Sequence, residues 1–300
     1  MVSARGGGDG LVRTFELVTP GLHLRRTLGC GQTFRWTWED GAARGVVGRA
    51  ALRLIPLPGC LQAEVEGEPL SPEALYAYLF GCGSVRAAER RLCTDSVLRQ
   101  ILPHTRGISI LAQDPWEVLC SFLVSQNNNI PKIRLTIERL CQALGEPIPT
   151  SRGVSFTFPS PDRMADAPVR ILRASALGYR TDSLRATARL VADGRVDFEA
   201  LRQAPLEEAR AALTELPGVG EKVAECVLLF GLGHEEAFPV DVWVRRAVED
   251  LYFGGRSRTP RAIRAWARER FGSLAGWAQQ HLYHFARNCR YGTRGEAAGA

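Results

Sequence analysis

Short runs of β-branched and aromatic residues, with some alternation of apolar and polar positions, fill the chain from Leu11 to about Glu66: TFELV, GLHLRRTL, QTFRWTW, ALRLIPL and LQAEVEG. Glycine, proline and a Glu-Asp-Gly turn punctuate them, and the pattern predicts an antiparallel sheet. Inside it, Leu28-Gly29-Cys30-Gly31-Gln32-Thr33-Phe34-Arg35-Trp36 is rich in glycine for a strand interior, which marks a bulge or a close approach to the backbone. The period changes near Ser71. SPEALYAYLF has a serine cap, proline at a first helical position and an early glutamate, and further helical segments cover roughly Val85 to Leu102. Asp114-Pro115 opens WEVLCSFLVSQ, which is apolar on nearly all sides and so belongs in a core. After Asn127-Asn128-Asn129, Pro131 opens KIRLTIERLCQAL, whose Ile133, Ile137, Leu140, Cys141 and Leu144 form one buried stripe. EPIPTSRGVSFTFPSP, from Gly145 to about Asp162, reads as a connecting loop, and helical pattern resumes through Val169-Arg170-Ile171-Leu172.

The stretch from Pro205 to Arg246 is the most informative. Pro205 suits a first helical position, with Glu207 and Glu208 in the opening turn where the helix dipole favours acids. Leu213 and Leu216 close the apolar face, and Pro217-Gly218-Val219-Gly220 then predicts a tight reversal into a second helix. The first amides of that helix have no internal partners, so Gly218, Val219 and Gly220 outline a site for a phosphate. Lys222, Cys226 and Leu229 fall at i, i+4 and i+7 and share a face. A lysine on an apolar stripe is disfavoured as an ammonium, which makes its amine a nucleophile. Asp241 follows at the expected start of the next helix, as an N-cap or a charged partner for Lys222.

Composition sharpens the picture around that lysine. Of 38 Lys+Arg residues only Lys132 and Lys222 are lysines, so the hairpin carries an amine that can deprotonate where arginine could not. With 300 residues, 45% hydrophobic, the chain can bury a core divided into two or three lobes. A net charge of +6 suits a polyanionic partner. Eight cysteines without a CxxC pair argue against a disulfide framework or a metal cluster and suit reduced thiols. The absence of an apolar run of about 18 residues excludes a membrane span. MVSARGGGDG lacks a hydrophobic signal core, and GTRGEAAGA reads as a loose tail.

The Leu-Pro-Gly-Val-Gly turn between two short helices resembles the helix-hairpin-helix element of DNA repair glycosylases. Lys222, Cys226 and Asp241 resemble the bifunctional members, and four more blocks in the same chain order resemble the 8-oxoguanine DNA glycosylase branch. In the fragment Gly31-Gln-Thr-Phe-Arg-Trp, the resemblance implies that the carbonyl of Gly31 accepts the N7 hydrogen carried only by the oxidised base. It implies that Asn127 fills the gap left by the extruded base, and that Lys132 stands where an arginine usually contacts the orphaned cytosine. In Leu177-Gly178-Tyr179-Arg180 it makes Tyr179 a wedge and Arg180 a partner of cytosine. In Gly276-Trp277-Ala278-Gln279 it assigns Gln279 to the pairing edge of the base, with Tyr283, usually phenylalanine, stacking on one face and Cys226 on the other. Trp243 occupies a position where many relatives carry a phosphate-touching histidine.

The resemblance implies an α+β fold, with an antiparallel sheet lobe packed on a mostly helical glycosylase core. The expected division is a sheet domain with flanking helices over residues 1–112, a helical region over 113–291 with the helix-hairpin-helix at about 205–232, and a flexible tail over 292–300. The implied activity is excision of 8-oxoguanine from duplex DNA with AP lyase cleavage, Lys222 attacking the sugar and Asp241 stabilising positive charge. Expected partners are duplex DNA containing a damaged base and no membrane, in an intracellular monomer that works where the DNA is. No metal and no iron–sulfur cluster is expected, since only Cys289 lies where related enzymes carry four cysteines, although the hairpin turn could hold a structural cation. A sibling glycosylase for another lesion and a non-catalytic hairpin DNA-binding protein remain as alternatives.

Overall fold

The computed structural model describes residues 3–4 and 12–290; the expected tail at 292–300 lies outside them. The architecture is α+β. Its sheet has six antiparallel strands in the order β1-β2-β6-β5-β4-β3. They are β1 (Ser3–Ala4), β2 (Arg13–Val18), β3 (Thr37–Glu39), β4 (Ala42–Val47), β5 (Ala50–Leu57) and β6 (Cys60–Gly67). Successive hairpins join β3 to β6, and β2 returns along β6 with Phe15 opposite Ala63. The alternation is clearest in β6, where Leu61, Ala63 and Val65 face the core and Gln62, Glu64 and Glu66 point away.

Two segments read as strand are not. GLHLRRTL forms a short helix, α1 (Leu24–Gly29), because Leu24, Thr27 and Leu28 bury one helical face and His23 Nδ1 accepts the amide of Arg26. From QTFRWTW only Thr37 and Trp38 enter β3. The preceding residues form a buried loop pinned by Gln32, whose amide donates to the carbonyls of Thr27 and Ser109 and accepts from Leu111 N. A third difference is the supposed connector after Gly145, which is a hairpin of β7 (Pro147–Thr150) and β8 (Gly153–Phe156). Its prolines sit in a two-stranded ribbon, where a missing donor is tolerated.

Helices dominate the rest. They are α2 (Pro72–Leu79), α3 (Val85–Leu92), α4 (Ser96–Thr105), α5 (Pro115–Val124), α6 (Ile130–Leu144), α7 (Pro161–Asp166), α8 (Val169–Ala174), α9 (Arg180–Ala192) and α10 (Phe198–Gln203). The last five are α11 (Leu206–Thr214), α12 (Glu221–Phe230), α13 (Val242–Phe253), α14 (Pro260–Phe271) and α15 (Ala275–Phe285), with a π-type turn over Ala286–Arg290. Ser71, Asp114 and Asn129 each accept an amide of the following turn, as N-caps do. Pro205 is itself an N-cap, one position earlier than expected.

One hydrophobic core runs from Phe15 in the sheet through α5 and α12 to Ala286. Helix α5 is buried on nearly all sides, as its composition demands, and Phe122 stacks on Phe230 of α12 at 5.7 Å. Arg35, from the loop after α1, pairs with Glu117 on α5 and so ties sheet to helices. No described helix is long and apolar enough to cross a membrane.

Candidate active site

The reversal between α11 and α12 places the hairpin. Gly218 has φ +79, and a Cβ there would lie 2.7 Å from Ser183 Cβ, so glycine is required on both conformational and steric grounds. The amide of Val219 returns to Leu216 O and the buried Val219 side chain anchors the turn. Gly220 is the N-cap of α12 and supplies no side-chain cap, so the opening amides of the helix stay available to an anion at an exposed turn. The carbonyls of Pro217 and Gly218, which a turn-bound cation would use, accept from Thr187 Oγ1 and Gln126 Nε2.

Behind the hairpin lies a cavity of about 620 Å³, whose wall includes Gly31, Lys222, Cys226, Asp241, Gln279 and Tyr283. Lys222 and Asp241 thus face the same space, without a direct ion pair. Lys222 Nζ donates to Ser125 Oγ at 3.3 Å and sits 4.7 Å from the ring centroid of Phe122. Asp241 is the N-cap of α13, its Oδ1 accepting the amides of Trp243 and Val244. Burial raises the Asp241 carboxyl above the ordinary range, and the Val244 amide and the Lys222 charge pull the other way. Burial pushes the Cys226 thiol up to about 12, so it is a neutral wall rather than a nucleophile.

The opposite wall comes from the loop after α1 and from α15. Gly31 has φ +78, and a Cβ on it would lie 2.9 Å from Tyr283 Oη, so the ring of Tyr283 packs directly on this glycine. Gln279 is buried and oriented, its amide donating to Pro239 O and accepting from Gln280. The indole of Trp243 also lines the cavity.

At the rim, the three asparagines divide their work. Asn127 takes φ +47 and its side chain donates to Tyr179 Oη at 3.1 Å. Asn128 donates to Val124 O, and Asn129 caps α6 by accepting from Lys132 N. Tyr179 is 64% exposed, a ring left standing in solvent beside the turn. Arg180 behaves differently from expectation. Its guanidinium is buried and donates to the carbonyls of Gln126, Asn127 and Leu177, so in this structure it staples the asparagine turn to α9. Lys132 is exposed on the first turn of α6 and does not line the cavity.

Several site residues escaped sequence reasoning. Ser125 and Phe122, the neighbours of the Lys222 amine, lie on the far face of a helix that reads only as core. Gln280 and Arg287 line the cavity next to Gln279 and Tyr283. Spacing from Tyr283 could have found Arg287, four residues on. Among the described residues no group of three or more His, Cys, Asp or Glu side chains could hold a metal ion.

Comparison with known proteins adds a lineage to this geometry. Residues 120–272 match the family described as HhH-GPD superfamily base excision DNA repair protein. A probable N-glycosylase/DNA lyase of Methanothermobacter thermautotrophicus is 33% identical over 64% of this chain and 68% of its own length. The N-glycosylase/DNA lyase of Arabidopsis thaliana is 32% identical over 87% of this chain and 76% of its own. A solved structure of the Clostridium acetobutylicum 8-oxoguanine glycosylase/lyase, in complex with double-stranded DNA containing cytosine opposite 8-oxoguanine, superposes with a TM-score of 0.85 at 27% identity, covering 96% of this chain and 97% of that one.

Proposed function

The chain belongs to the HhH-GPD superfamily of base excision DNA repair proteins, and from that premise we propose that it is a bifunctional 8-oxoguanine DNA glycosylase and AP lyase acting on duplex DNA. The observation that carries this reading is one nucleoside-sized cavity in which the Lys222 amine and the Asp241 carboxylate face Gly31, Gln279 and Tyr283. The free amides at Gly218-Val219-Gly220 hold a backbone phosphate at the rim, and the damaged nucleotide swings into the cavity. Asn127 and the exposed ring of Tyr179 occupy the space it leaves, recovering stacking. Lys132, on the first turn of α6, approaches the unpaired cytosine as a point charge. Arg180 supports that contact by fixing the turn.

Within the cavity the base lies between Tyr283 and Cys226, with its pairing edge on Gln279 and its N7 edge on the carbonyl of Gly31. 8-Oxoguanine presents N7–H to that carbonyl, whereas guanine presents a lone pair, and a mismatch of this kind discriminates strongly. Lys222, as free amine, attacks C1′; the new C–N bond forms as the bond to N9 breaks and the base departs. Asp241 stabilises the positive charge that develops on the sugar and exchanges protons with the departing groups. Loss of the ring oxygen bond gives a Schiff base, and β-elimination then expels the 3′ phosphate.

The test is incubation with duplexes carrying 8-oxoguanine opposite each of the four bases, followed by borohydride. A covalent adduct that disappears in Lys222→Gln is expected. Binding with neither adduct nor base release would leave a DNA-binding module, and adducts on another lesion but not on 8-oxoguanine would select a sibling enzyme.

A further inference from the structure

Arg287 lines the cavity, yet the reaction proposed above gives it no task. It lies one turn beyond Tyr283, in the π-type turn over Ala286–Arg290 that ends α15, a local distortion that redirects side chains and recurs at functional sites. Its guanidinium is in hydrogen-bonding contact with the Tyr283 hydroxyl, and its charge is felt at Asp241 and Cys30. No carboxylate of the described residues pairs with it, and its cationic neighbour Arg134 only adds to the positive field. A partly buried guanidinium without a counter-ion keeps donors unspent until a ligand brings an acceptor.

The chemistry of a purine edge says which acceptor. If the carbonyl of Gly31 meets N7–H and Gln279 meets the pairing edge, the atom bonded to C6 lies between them. Neither can serve a carbonyl oxygen there as Arg287 can: Gly31 offers only another acceptor, and the Gln279 amide already donates to Pro239 O. Tyr283 Oη, which carries Arg287, lies directly against Gly31 and so beside that position. We propose that Arg287, held by the Tyr283 hydroxyl, donates to the C6 carbonyl of the extruded base and restricts the cavity to oxidised purines with a 6-keto group. The inference rests on the orientation of the base proposed above. Gly31 then separates oxidised from normal guanine, while Arg287 separates guanine-derived lesions from adenine-derived ones, whose 6-amino group would set donor against donor. It also gives a reason for tyrosine where relatives usually carry phenylalanine: stacking needs only the ring, but the hydroxyl holds the arginine.

The experiment compares single-turnover release of 8-oxoguanine and of 8-oxoadenine from otherwise identical duplexes. In Arg287→Leu the ratio of the two rates is expected to fall about 10- to 100-fold, the value of a hydrogen bond to a charged donor, with the loss on the 8-oxoguanine side. Arg287→Lys keeps charge without the fork and is expected to lie between, and Tyr283→Phe to shift the ratio in the same direction by less. These two variants carry the test if the leucine variant does not fold. An unchanged ratio, or equal slowing on both lesions as a phosphate contact would give, overturns the inference and leaves the proposed function standing. A wild-type protein that releases neither base defeats both, and does so before any variant is compared.

Discussion

Oδ1 of Asp241 accepts the amides of Trp243 and Val244, yet burial raises the carboxyl above its ordinary range, so the folded protein prefers this group protonated while the proposed chemistry needs it charged. The sign of the consequence is fixed by linkage: a carboxyl whose folded pKa is raised lowers stability above that pKa, and the deficit vanishes as pH falls below the unfolded value. Asp241→Asn keeps an N-cap and removes the charge. At neutral pH it is expected to be at least as stable as wild type, the advantage shrinking as pH falls into the carboxyl range, while base release drops by about 100-fold or more. Melting curves across pH set beside single-turnover rates check this, and an Asn variant distinctly less stable than wild type at neutral pH would refute it. Lys222 and Asp241 were legible because their residue types and spacing state a chemistry: an amine on an apolar stripe, a carboxylate at a helix start. Arg180 was half legible, since Tyr-Arg after glycine marks a functional corner but says nothing of the backbone carbonyls that hold its guanidinium. Ser125 and Arg287 were hidden, because what places each in the cavity is packing between segments far apart in the chain.

Helix α12 must hold Lys222 still, and it does so through a carboxylate on its buried side. Glu225 is 0% exposed; its Oε1 accepts Arg210 Nε from α11, and its Oε2 accepts the amide of Phe238 in the segment leading to α13. Arg264 of α14 approaches from the other side and pairs with Glu221. Removing Glu225 would strand two buried guanidiniums, so Glu225→Ala is expected to cost about 3–5 kcal/mol, measured by urea unfolding. A loss near that of an exposed ion pair, about 1 kcal/mol or less, would show that α12 is held by apolar packing alone. Nothing in the local sequence announces this network, since Glu225 reads as one polar residue in an apolar helix. At the same scale, long helices were legible from their stripes and caps, while short elements were not. GLHLRRTL alternates over Leu22 and Leu24 and then changes period, and only burial of Leu24 and Leu28 on one face decides for helix. The β7–β8 hairpin was obscured by its prolines, which break a central strand but not an isolated ribbon.

Across the whole molecule, acid is expected to loosen the fold from the side of the base pocket. Helix α15 carries Gln279 and Tyr283 on the cavity and His281 on the core, where His281 Nδ1 meets Thr105 Oγ1 of α4 at 2.8 Å and Nε2 has no partner. Burial lowers His281 to about 3 and His284, three residues on, to about 4, against an ordinary value of 6.5. For a base whose folded pKa is depressed, the unfolded chain takes up the proton first. The stability is therefore complete above 6.5 and drains away as pH falls through the window down to about 3 to 4. Each histidine contributes a slope of up to about 1.4 kcal/mol per pH unit inside that window. Asp241 opposes this trend, but only lower in the range, as pH falls toward the ordinary carboxyl value. Urea unfolding at pH 7.5, 6.5, 5.5 and 5.0 is thus expected to show a roughly flat stability above about 6.5 and a steady decline below it. In His281→Gln the protein is expected to be less stable at pH 7.5 because a core contact is altered, yet to decline less steeply below 6.5, by up to about 1.4 kcal/mol per pH unit. Parallel curves for the two proteins would mean that His281 is not the group whose neutrality the fold protects, and that α15 is anchored through its apolar side chains instead.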